Sequence, residues 1–340
     1  MEETLYTVFH TIGPMARKKS TPAKIQKANR HLTYTLDSAT NYIDLAQSLS
    51  IVNRKLFRQG YCYGVESVDF RFTADPAQYD TISITALTAG DTWSVHNAHV
   101  KARAMFDEMN MLVLDDNPSV KPKWHDFKIR LDSQHFTANN LIPRDGGGIS
   151  YQQGEWIYST FVLPQHDIDP ATGLPLAAAE VVAHLIGDDT GVPAPGFPPS
   201  ASLGLVKAYE ESRATVFDNN PNVPGGFSTS FFSQLTDSGS QEPELADTIE
   251  RSNDDPPYNM TNYPGGDTNA VNPIVTEFAS ASVGAPNGTL SSFVAQCGLI
   301  KFNVQATKDG VNVPINFTVD AIVNVMVGKY KGVAAIPMGQ

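Results

Sequence analysis

Short runs in which apolar and polar residues alternate make up most of the chain. Runs such as "LTYTLDS", "YIDLAQSLSIV", "SVDFRFTA" and "DTISITAL" are rich in β-branched and aromatic residues. An alternation of period two predicts strands with one buried and one solvated face. Pro and Gly separate these runs, and no long amphipathic helix pattern lies between them. We therefore expect neighbouring strands to pair antiparallel rather than through strand–helix–strand units.

One long stretch, residues 92–131, breaks this alternation: "TWSVHNAHVKARAMFDEMNMLVLDDNPSVKPKWHDFKIRL". Its apolar residues recur at intervals of three and four, which places them on one face of a helix. These residues are Ala98, Ala102, Met105, Met109 and Leu112. Asp91 or Thr92 can cap the first turn, and "DDNPS" ends the helix. We predict a helix from about Ser94 to Leu112 whose apolar face packs on a sheet or on a neighbouring copy.

The remaining segments also favour strands. In "KPKWHDFKIRL", Phe127, Ile129 and Leu131 fall on one side and Lys128 and Arg130 on the other, which predicts a strand. "EWIYSTFVL" and the long runs after residue 273 predict further strands, and "KDGVN" predicts a hairpin turn. "LAAAEVVAHLIGD" fits either a helix or a strand, and the middle of "ASLGLVKAYEESRATV" fits a short helix. The whole pattern indicates an all-β fold with few helices.

Composition agrees with this fold class and narrows the environment. Charged residues make up only 18% of the chain, and 25 Gly and 23 Pro suit many turns and long loops. The two cysteines, Cys62 and Cys297, cannot form a disulfide framework, although a single bridge between them stays open. The first twenty residues lack the order of a secretory signal, and no apolar window approaches the roughly 20 residues of a membrane helix. We expect a soluble protein.

Charge is distributed unevenly. Residues 1–130 contain 16 basic and 14 acidic side chains, whereas residues 131–340 contain 8 and 22. The basic excess is concentrated in an N-terminal arm, residues 1–30, whose "ARKKSTPAKIQKANR" has six cations and no acid. These cations are Arg17, Lys18, Lys19, Lys24, Lys27 and Arg30. The arm is either a solvated linker or short helix, or a segment that neutralises the phosphates of nucleic acid.

The acidic excess is concentrated in a second region, at about 210–275, that is rich in Pro, Gly and Asn. Residues 210–280 contain twelve acids against Arg213 and Arg251. A segment this polar does not bury enough apolar surface to fold alone. We interpret it as projecting surface loops within a domain that spans residues 31–340.

No motif indicates catalysis. The chain has no nucleotide-binding glycine loop, no nucleophile elbow and no zinc-protease motif. His96 and His99 share a helix face and could bind a metal with His125 or Asp126, but nearby cations disfavour this reading. Carboxylates that could bind calcium also occur in pairs, although turn chemistry is their ordinary role. They are Asp115, Asp116, Asp188 and Asp189. We expect no enzyme, no cofactor and no metal.

The stretch from 92 to 131 resembles a segment of the capsid proteins of circular, Rep-encoding single-stranded DNA (CRESS-DNA) viruses. The matching elements are Thr92-Trp93, Asn97-Ala98, Val100-Lys101, "FDEMN" at 106–110, "DNPSV" at 116–120 and "KWHDFKIRL" at 123–131. The resemblance implies a single jelly roll, an eight-stranded antiparallel β-sandwich with one or two short helices and long surface loops. It also implies a structural protein of the virion that self-assembles into an icosahedral shell around single-stranded DNA. The basic arm would face this DNA and the acidic region would project outward.

One departure from the family leaves the DNA contact open. Such capsid proteins often begin with a dense Arg/Lys arm, whereas here six cations are spread over residues 17–30. The arm could instead serve in subunit contacts, and DNA could be held by a lining that includes Lys101, Arg103, Lys121 and Lys123. The histidines are interpreted as polar surface or interface groups, and protonation of His96 and His99 is a hypothesis for pH-sensitive assembly. The alternative function is a β-sandwich module that binds a carbohydrate or a receptor without forming a shell.

Overall fold

The computed structural model describes residues 27–37, 39–116, 126–163, 178–191, 196–212 and 273–339. The strands are β1 (His31–Leu36), β2 (Thr40–Asp44), β3 (Tyr61–Phe72), β4 (Thr81–Thr88), β5 (Thr160–Leu163), β6 (Ala179–His184), β7 (Gly196–Gly204), β8 (Ile274–Ser282), β9 (Asn287–Leu290), β10 (Phe293–Ala295), β11 (Leu299–Lys308), β12 (Val311–Val313), β13 (Val319–Val325) and β14 (Ala335–Pro337). The α-helices are α1 (Leu45–Asn53), α2 (Trp93–Asp116) and α3 (Leu205–Ser212). No helix in these described segments is both long and apolar enough to cross a bilayer.

Two antiparallel sheets form a sandwich in which strands far apart in the sequence are neighbours. The first sheet has the order β1-β13-β3-β9, and β10 and β14 also pair with β3. The second sheet has the order β2-β11-β4-β8, and β12 also pairs with β11. Numbered along the chain, the eight main strands therefore read 1-8-3-6 and 2-7-4-5. This alternation between two sheets is the jelly-roll arrangement, and the predicted fold is confirmed.

The side chains that face inward from both sheets fill the sandwich. In β1, Leu32, Tyr34 and Leu36 are buried, whereas Thr33 and Thr35 between them remain half-buried on the outer side. The other strands add further large buried side chains, among them Val65, Phe70, Ile84, Phe302 and Val323. Each such burial contributes about 1.5–3 kcal/mol relative to exposure. The period-two pattern of the sequence therefore corresponds directly to this core.

The strand predicted over "YIDLAQSLSIV" is wrong beyond Asp44, because α1 begins at the next residue. Asp44 has an extended backbone, and its Oδ1 accepts a hydrogen bond from the Gln47 N–H at 3.1 Å. This is N-cap geometry, which satisfies a backbone donor of the first turn. Leu45, Ala46 and Leu49 then bury one face of the helix. Two features of the sequence indicate this helix: the capping Asp44 and apolar residues spaced three to four apart. The alternation of apolar and polar residues hid both features.

The described residues between β4 and β8 (89–116, 126–163, 178–191, 196–212 and 273) form an insertion that packs against the sandwich. The chain leaves and re-enters the second sheet at the paired residues Thr88 and Ile274. In the insertion, β5 pairs antiparallel with β6, and β6 pairs parallel with β7, so "LAAAEVVAHLIGD" contains a strand. The hydrophobic core of the insertion also includes Tyr42, Cys297 and Leu299 of the sandwich. The insertion and the sandwich are therefore joined by a shared apolar interface.

Helix α2 is the longest element of the insertion. It begins at Trp93 and continues past the predicted end to Asp116, and the Thr92 Oγ1 accepts a hydrogen bond from the Val95 N–H at 3.4 Å. The predicted apolar face is confirmed at its first three positions, which are fully buried: Ala98, Ala102 and Met105. Met109 packs at the margin of the same core. The helix thus packs its apolar face inside the chain itself.

The strand predicted to end at Leu131 is wrong over residues 126–129, whereas Arg130 pairs parallel with His184 of β6 in a single bridge. At Ile129 the amide of Gln59 takes the place of a partner strand. Its Oε1 accepts from the Ile129 N–H at 2.6 Å, and its Nε2 donates to the Ile129 carbonyl at 2.9 Å. Lys128 is buried as well, with its ammonium 5.0 Å from the centre of the Trp156 ring. Both sides of the segment therefore lie inside the protein.

Two predicted regions lie largely outside the described residues. Most of the acidic region at 210–275 is outside them, so its projecting loops stay a prediction. The arm up to residue 26 also lies outside them. The boundary at residue 30 lies within the described residues and stays a prediction. Within the described residues, "KDGVN" forms the predicted hairpin, since Asp309 and Gly310 both have positive φ between β11 and β12. Cys62 and Cys297 are buried free thiols.

Candidate nucleic-acid interface

The described part of the N-terminal arm, residues 27–30, lies at one end of the first sheet. The Asn29 N–H donates to Asn53 Oδ1 at 2.7 Å, and Asn53 Nδ2 donates to the Asn29 carbonyl at 3.0 Å. Arg30 Nη1 donates to the Val325 carbonyl at 2.8 Å. Asn53 ends α1 and Val325 ends β13. The base of the arm is therefore fixed where this helix and this strand both end.

The loop after α1 brings three cations to the same end: Arg54, Lys55 and Arg58. Arg54 adopts the left-handed conformation, with φ of 52°, and its N–H bonds the Ser50 carbonyl. The Ser50 hydroxyl accepts from the Phe57 N–H at 2.8 Å. Phe57 is fully buried beneath the loop, whereas Arg54 and Arg58 are exposed. The buried ring and the cap thus hold this loop against the sandwich.

A tight turn after β13 adds Lys329 and Lys331. The backbone groups of Tyr330 and Val333 bond each other in both directions, at 3.1 and 2.9 Å. Lys331 and Gly332 between them have φ of 53° and 99°. Two successive positive φ values define a type I′ turn, which only a few residue types favour. Strand β14 then pairs with the start of β3, which brings the turn beside the loop after α1.

Lys55 and Lys331 connect these segments through backbone carbonyls. Lys55 Nζ donates to the carbonyl of Lys331 at 3.0 Å and to that of Lys27 at 3.4 Å. Lys331 Nζ donates to the carbonyl of Leu56. A carbonyl oxygen orients an ammonium group but carries no formal charge to neutralise it. The base of the arm, the loop and the turn therefore meet at one place, where the charge of the buried Asp126 acts on Arg58 and Lys331 without forming an ion pair with either.

Aromatic rings lie beneath these cations. Tyr61 and Tyr330 stack with ring centroids 4.2 Å apart, and Phe57 meets Tyr330 edge-on at 6.0 Å. The ammonium of Lys331 lies 5.3 Å from the Tyr330 centroid, and that of Lys55 lies 5.4 Å from the Phe57 centroid. Contacts of this kind contribute about 0.5–1 kcal/mol at exposed sites. Cations beside aromatic rings are the combination that binds single-stranded nucleic acids.

We call five of these cations the basic cluster: Arg54, Lys55, Arg58, Lys329 and Lys331. None of them forms an ion pair with a carboxylate in the described part of the chain. Burial lowers the pKa of Lys331, the neighbouring charges of Arg58 and Lys55 lower it further, and the charge of Asp126 opposes them. Like charges held this close repel one another, and a bound polyanion would offset that repulsion.

Only two of the six cations predicted to contact nucleic acid are described. Lys27 is exposed beside the basic cluster, whereas Arg30 is half-buried and its Nη1 lies 3.9 Å from Glu66 Oε2. The other four lie outside the described residues: Arg17, Lys18, Lys19 and Lys24. Binding by the arm therefore stays a prediction. Sequence reasoning missed the basic cluster, whose only signals were the short strings "NRKLFR" and "GKYKG".

The alternative DNA-contacting lining is wrong at Lys101. This side chain is 1% exposed, with Nζ 3.3 Å from Ser212 Oγ and 5.5 Å from the centre of the Tyr209 ring. Arg103 is partly exposed but lies 3.6 Å from the Asp107 carboxylate one turn further along α2. The remaining two predicted residues lie outside the described segments: Lys121 and Lys123. Lys101 is thus part of the packing between α2 and α3.

The histidines of residues 92–131 have separate surroundings. His96 Nδ1 accepts from the Gly339 N–H at 2.9 Å, and its Nε2 lies 2.7 Å from Asp91 Oδ1. His99 is 1% exposed, neither ring nitrogen has a hydrogen-bond partner, and burial lowers its pKa to about 3. The interpretation of His99 as a surface or interface group is therefore wrong. His125 lies outside the described residues, and those described contain no group of metal ligands.

The paired aspartates considered for calcium face a lysine instead. Lys207 Nζ lies 3.4 Å from Asp188 Oδ1 and 3.6 Å from Asp189 Oδ2. Asp189 Oδ1 also accepts the Gly204 N–H at 2.8 Å. Asp115 is exposed in the last turn of α2. Asp188 and Asp189 therefore have ordinary roles in ion pairing and turn structure.

No protein-family model, curated protein or solved structure matches this chain. Function is therefore inferred from the residues, the fold and the geometry of the charged surface.

Proposed function

We propose that this chain is a capsid subunit, many copies of which form an icosahedral shell around a single-stranded DNA genome. The observation that carries the proposal is the meeting of the base of the arm, residues 27–30, with the basic cluster on a jelly roll. Closely spaced cations favour nucleic acid because binding releases its condensed counterions. The resemblance of residues 92–131 to CRESS-DNA capsid proteins supports the same function. The proposed subunit is a structural protein of the virion that needs no catalytic group or cofactor.

The edge of the second sheet supports assembly from copies of this chain. Strand β8 is the last strand in that sheet, and two of its large apolar side chains are exposed, Val275 at 62% and Phe278 at 60%. Ile274 beside them is 44% exposed. Apolar side chains along a sheet edge favour association, and a shell subunit must bury extensive surface against its neighbours.

Electron microscopy of the purified full chain tests the proposal. We expect negative staining and size-exclusion chromatography to show uniform closed particles, and the absorbance ratio to show nucleic acid that nuclease does not degrade. A stable monomer or small oligomer across several salt and pH conditions would contradict the proposal. The jelly roll would then serve the alternative function, a module that binds a carbohydrate or a receptor, because this fold alone does not determine function.

A further inference from the structure

We infer that the basic cluster is itself a binding site for the phosphate backbone of single-stranded nucleic acid, separate from the cations of the arm. The inference rests on the proposed function, since it names a second contact with the same partner. It concerns Arg54, Lys55, Arg58, Lys329 and Lys331.

The five cations divide into two layers. Lys55 and Lys331 form the lower layer, where backbone carbonyls and aromatic rings hold their ammonium groups. Arg54, Arg58 and Lys329 form the upper layer and are exposed. None of these three makes a side-chain hydrogen bond or ion pair with another described residue. The upper layer is therefore available to phosphates, and the lower layer raises the local positive potential beneath it.

The site is held in place before any ligand binds. Arg54 is fixed by its left-handed cap, and Lys329 directly precedes the type I′ turn closed by Tyr330 and Val333. The Arg58 N–H donates to the Tyr330 hydroxyl at 3.1 Å, which joins the loop to the turn. A backbone fixed in this way reduces the ordering that binding requires.

Two features favour nucleic acid over an acidic protein segment. Lys55 Nζ donates to the Lys27 carbonyl at 3.4 Å, so the base of the arm lies directly beside the basic cluster and one strand could contact both. Tyr61 and Tyr330 remain partly exposed, and their stacked rings lie where unpaired bases could stack. An acidic peptide would need the charges but would make no use of the rings. Residues 210–280 of this chain are acidic. Binding of such an acidic segment is therefore the alternative that the experiment must distinguish from binding of nucleic acid.

The test compares two charge-matched variants of the full chain. Arg58→Gln/Lys329→Gln removes two cations from the upper layer. The control, Arg71→Gln/Lys308→Gln, also removes two cations. Arg71 is exposed near the end of β3, and Lys308 is half-buried at the end of β11. Fluorescence anisotropy with a labelled oligothymidylate, measured at several salt concentrations, gives affinity and salt dependence. Particles are examined by electron microscopy in parallel.

We expect the cluster variant to lose about tenfold in affinity near 0.15 M salt. Its salt slope should fall by about 1.4, because each phosphate contact to a single strand contributes about 0.7. The control variant should bind like the unmodified chain. Equal affinity and equal slope for both variants would overturn the inference. If the variants bind alike and still form intact, DNA-filled particles, the proposed function stands. If the unmodified chain forms no particles, the proposed function itself is contradicted.

A measurement on the unmodified chain avoids any effect of substitution on folding. Lysine acetylation is followed by mass spectrometry with and without oligothymidylate. We expect the nucleotide to protect Lys329 and to leave Lys308 unchanged. Equal modification of Lys329 in both samples would refute the inference. Protection of Lys329 by polyglutamate as strong as that by oligothymidylate would also refute it, and would assign the basic cluster to an acidic protein segment.

Discussion

Lys301 Nζ lies 2.8 Å from Asp132 Oδ2, and this ion pair joins strand β11 of the sandwich to the insertion. The two side chains are only 10% and 6% exposed. Lys301 also donates to Gln134 Oε1 at 2.8 Å, and the Tyr42 hydroxyl donates to Asp132 Oδ1 at 2.8 Å. Each charged group therefore has several partners, which is the condition under which a buried pair is tolerated.

Lys301→Met should strongly destabilise the protein. The substitution leaves the Asp132 carboxylate buried without its cation, which typically costs about 3–5 kcal/mol. Chemical denaturation at neutral pH measures the change in the free energy of unfolding. Lys308→Met is the matched control, because Lys308 pairs with Asp80 at 2.7 Å on the exposed surface. The control should cost no more than about 1 kcal/mol, and similar losses for both variants would contradict the buried role of Lys301.

Met105→Asp should prevent folding or lead to insoluble protein. Met105 is fully buried on α2, so the variant places an unpaired carboxylate in the core of the insertion. Met111→Asp on the same helix should change stability by no more than about 0.5 kcal/mol, since Met111 is 55% exposed. Soluble expression and circular dichroism separate the two outcomes. A well-folded Met105→Asp variant would show that the buried face of α2 is assigned incorrectly.

His99 should make folding stability depend on pH. Its pKa in the folded chain is about 3, whereas an unfolded histidine titrates near 6.5. The unfolded chain therefore binds the proton more readily. The contribution of neutral His99 to the free energy of unfolding is fully present above about pH 6.5. It falls as the pH decreases toward 3, by up to about 1.4 kcal/mol per pH unit.

His99→Leu isolates this effect. Burial also lowers the pKa of His135, to about 4, and raises that of Asp44, to about 6, so the total pH dependence contains opposing contributions. The difference between the variant and the unmodified chain cancels both. Denaturation from pH 7.5 to 4.5 should show the variant gaining relative stability below pH 6.5. Parallel stability curves for His99→Leu and the unmodified chain would rule out a titrating His99.

Gln59→Leu should destabilise the junction between the sandwich and residues 126–131. The substitution removes the buried Gln59 amide and its hydrogen bonds. These bonds are made to the N–H and carbonyl of Ile129 and to the Oδ2 of Asp44. Each buried polar group without a partner costs about 1–3 kcal/mol. Gln305→Leu, at an exposed position of β11, should change stability by less than about 0.5 kcal/mol. Equal stability of both variants in thermal denaturation would contradict the role of Gln59.

The strands of the sandwich were predictable because their alternation reflects burial directly. Leu32, Tyr34 and Leu36 occupy alternate positions in the sequence and the same inner face in the fold. The prediction failed at Asp44, where one capping side chain changes a strand into a helix. It also failed at Ile129, because its hydrogen-bond partner is a side chain 70 residues earlier. Local patterns carry no information about such a distant partner.

The candidate interface was less predictable than the fold. The arm was visible because its cations are consecutive in the sequence, whereas Arg58 and Lys329 are brought together only by the pairing of β14 with β3. Lys101 shows the opposite error. Its charge suggested exposure, but Tyr209 and Ser212 of α3 cover it. Charge alone does not reveal whether a helix position faces solvent.

The pairing of β1 with β13 determines the order in which the chain can fold during synthesis. His31 lies opposite Asn324, so β1 has no partner in its sheet until the chain has been made as far as Asn324. Strands β5, β6 and β7 pair with one another, so their pairing requires no residue after Gly204. Closing a loop of this length before contacts form is slow. The strands of the insertion should therefore be able to pair before the sandwich closes, although their core is complete only once Cys297 and Leu299 have joined it.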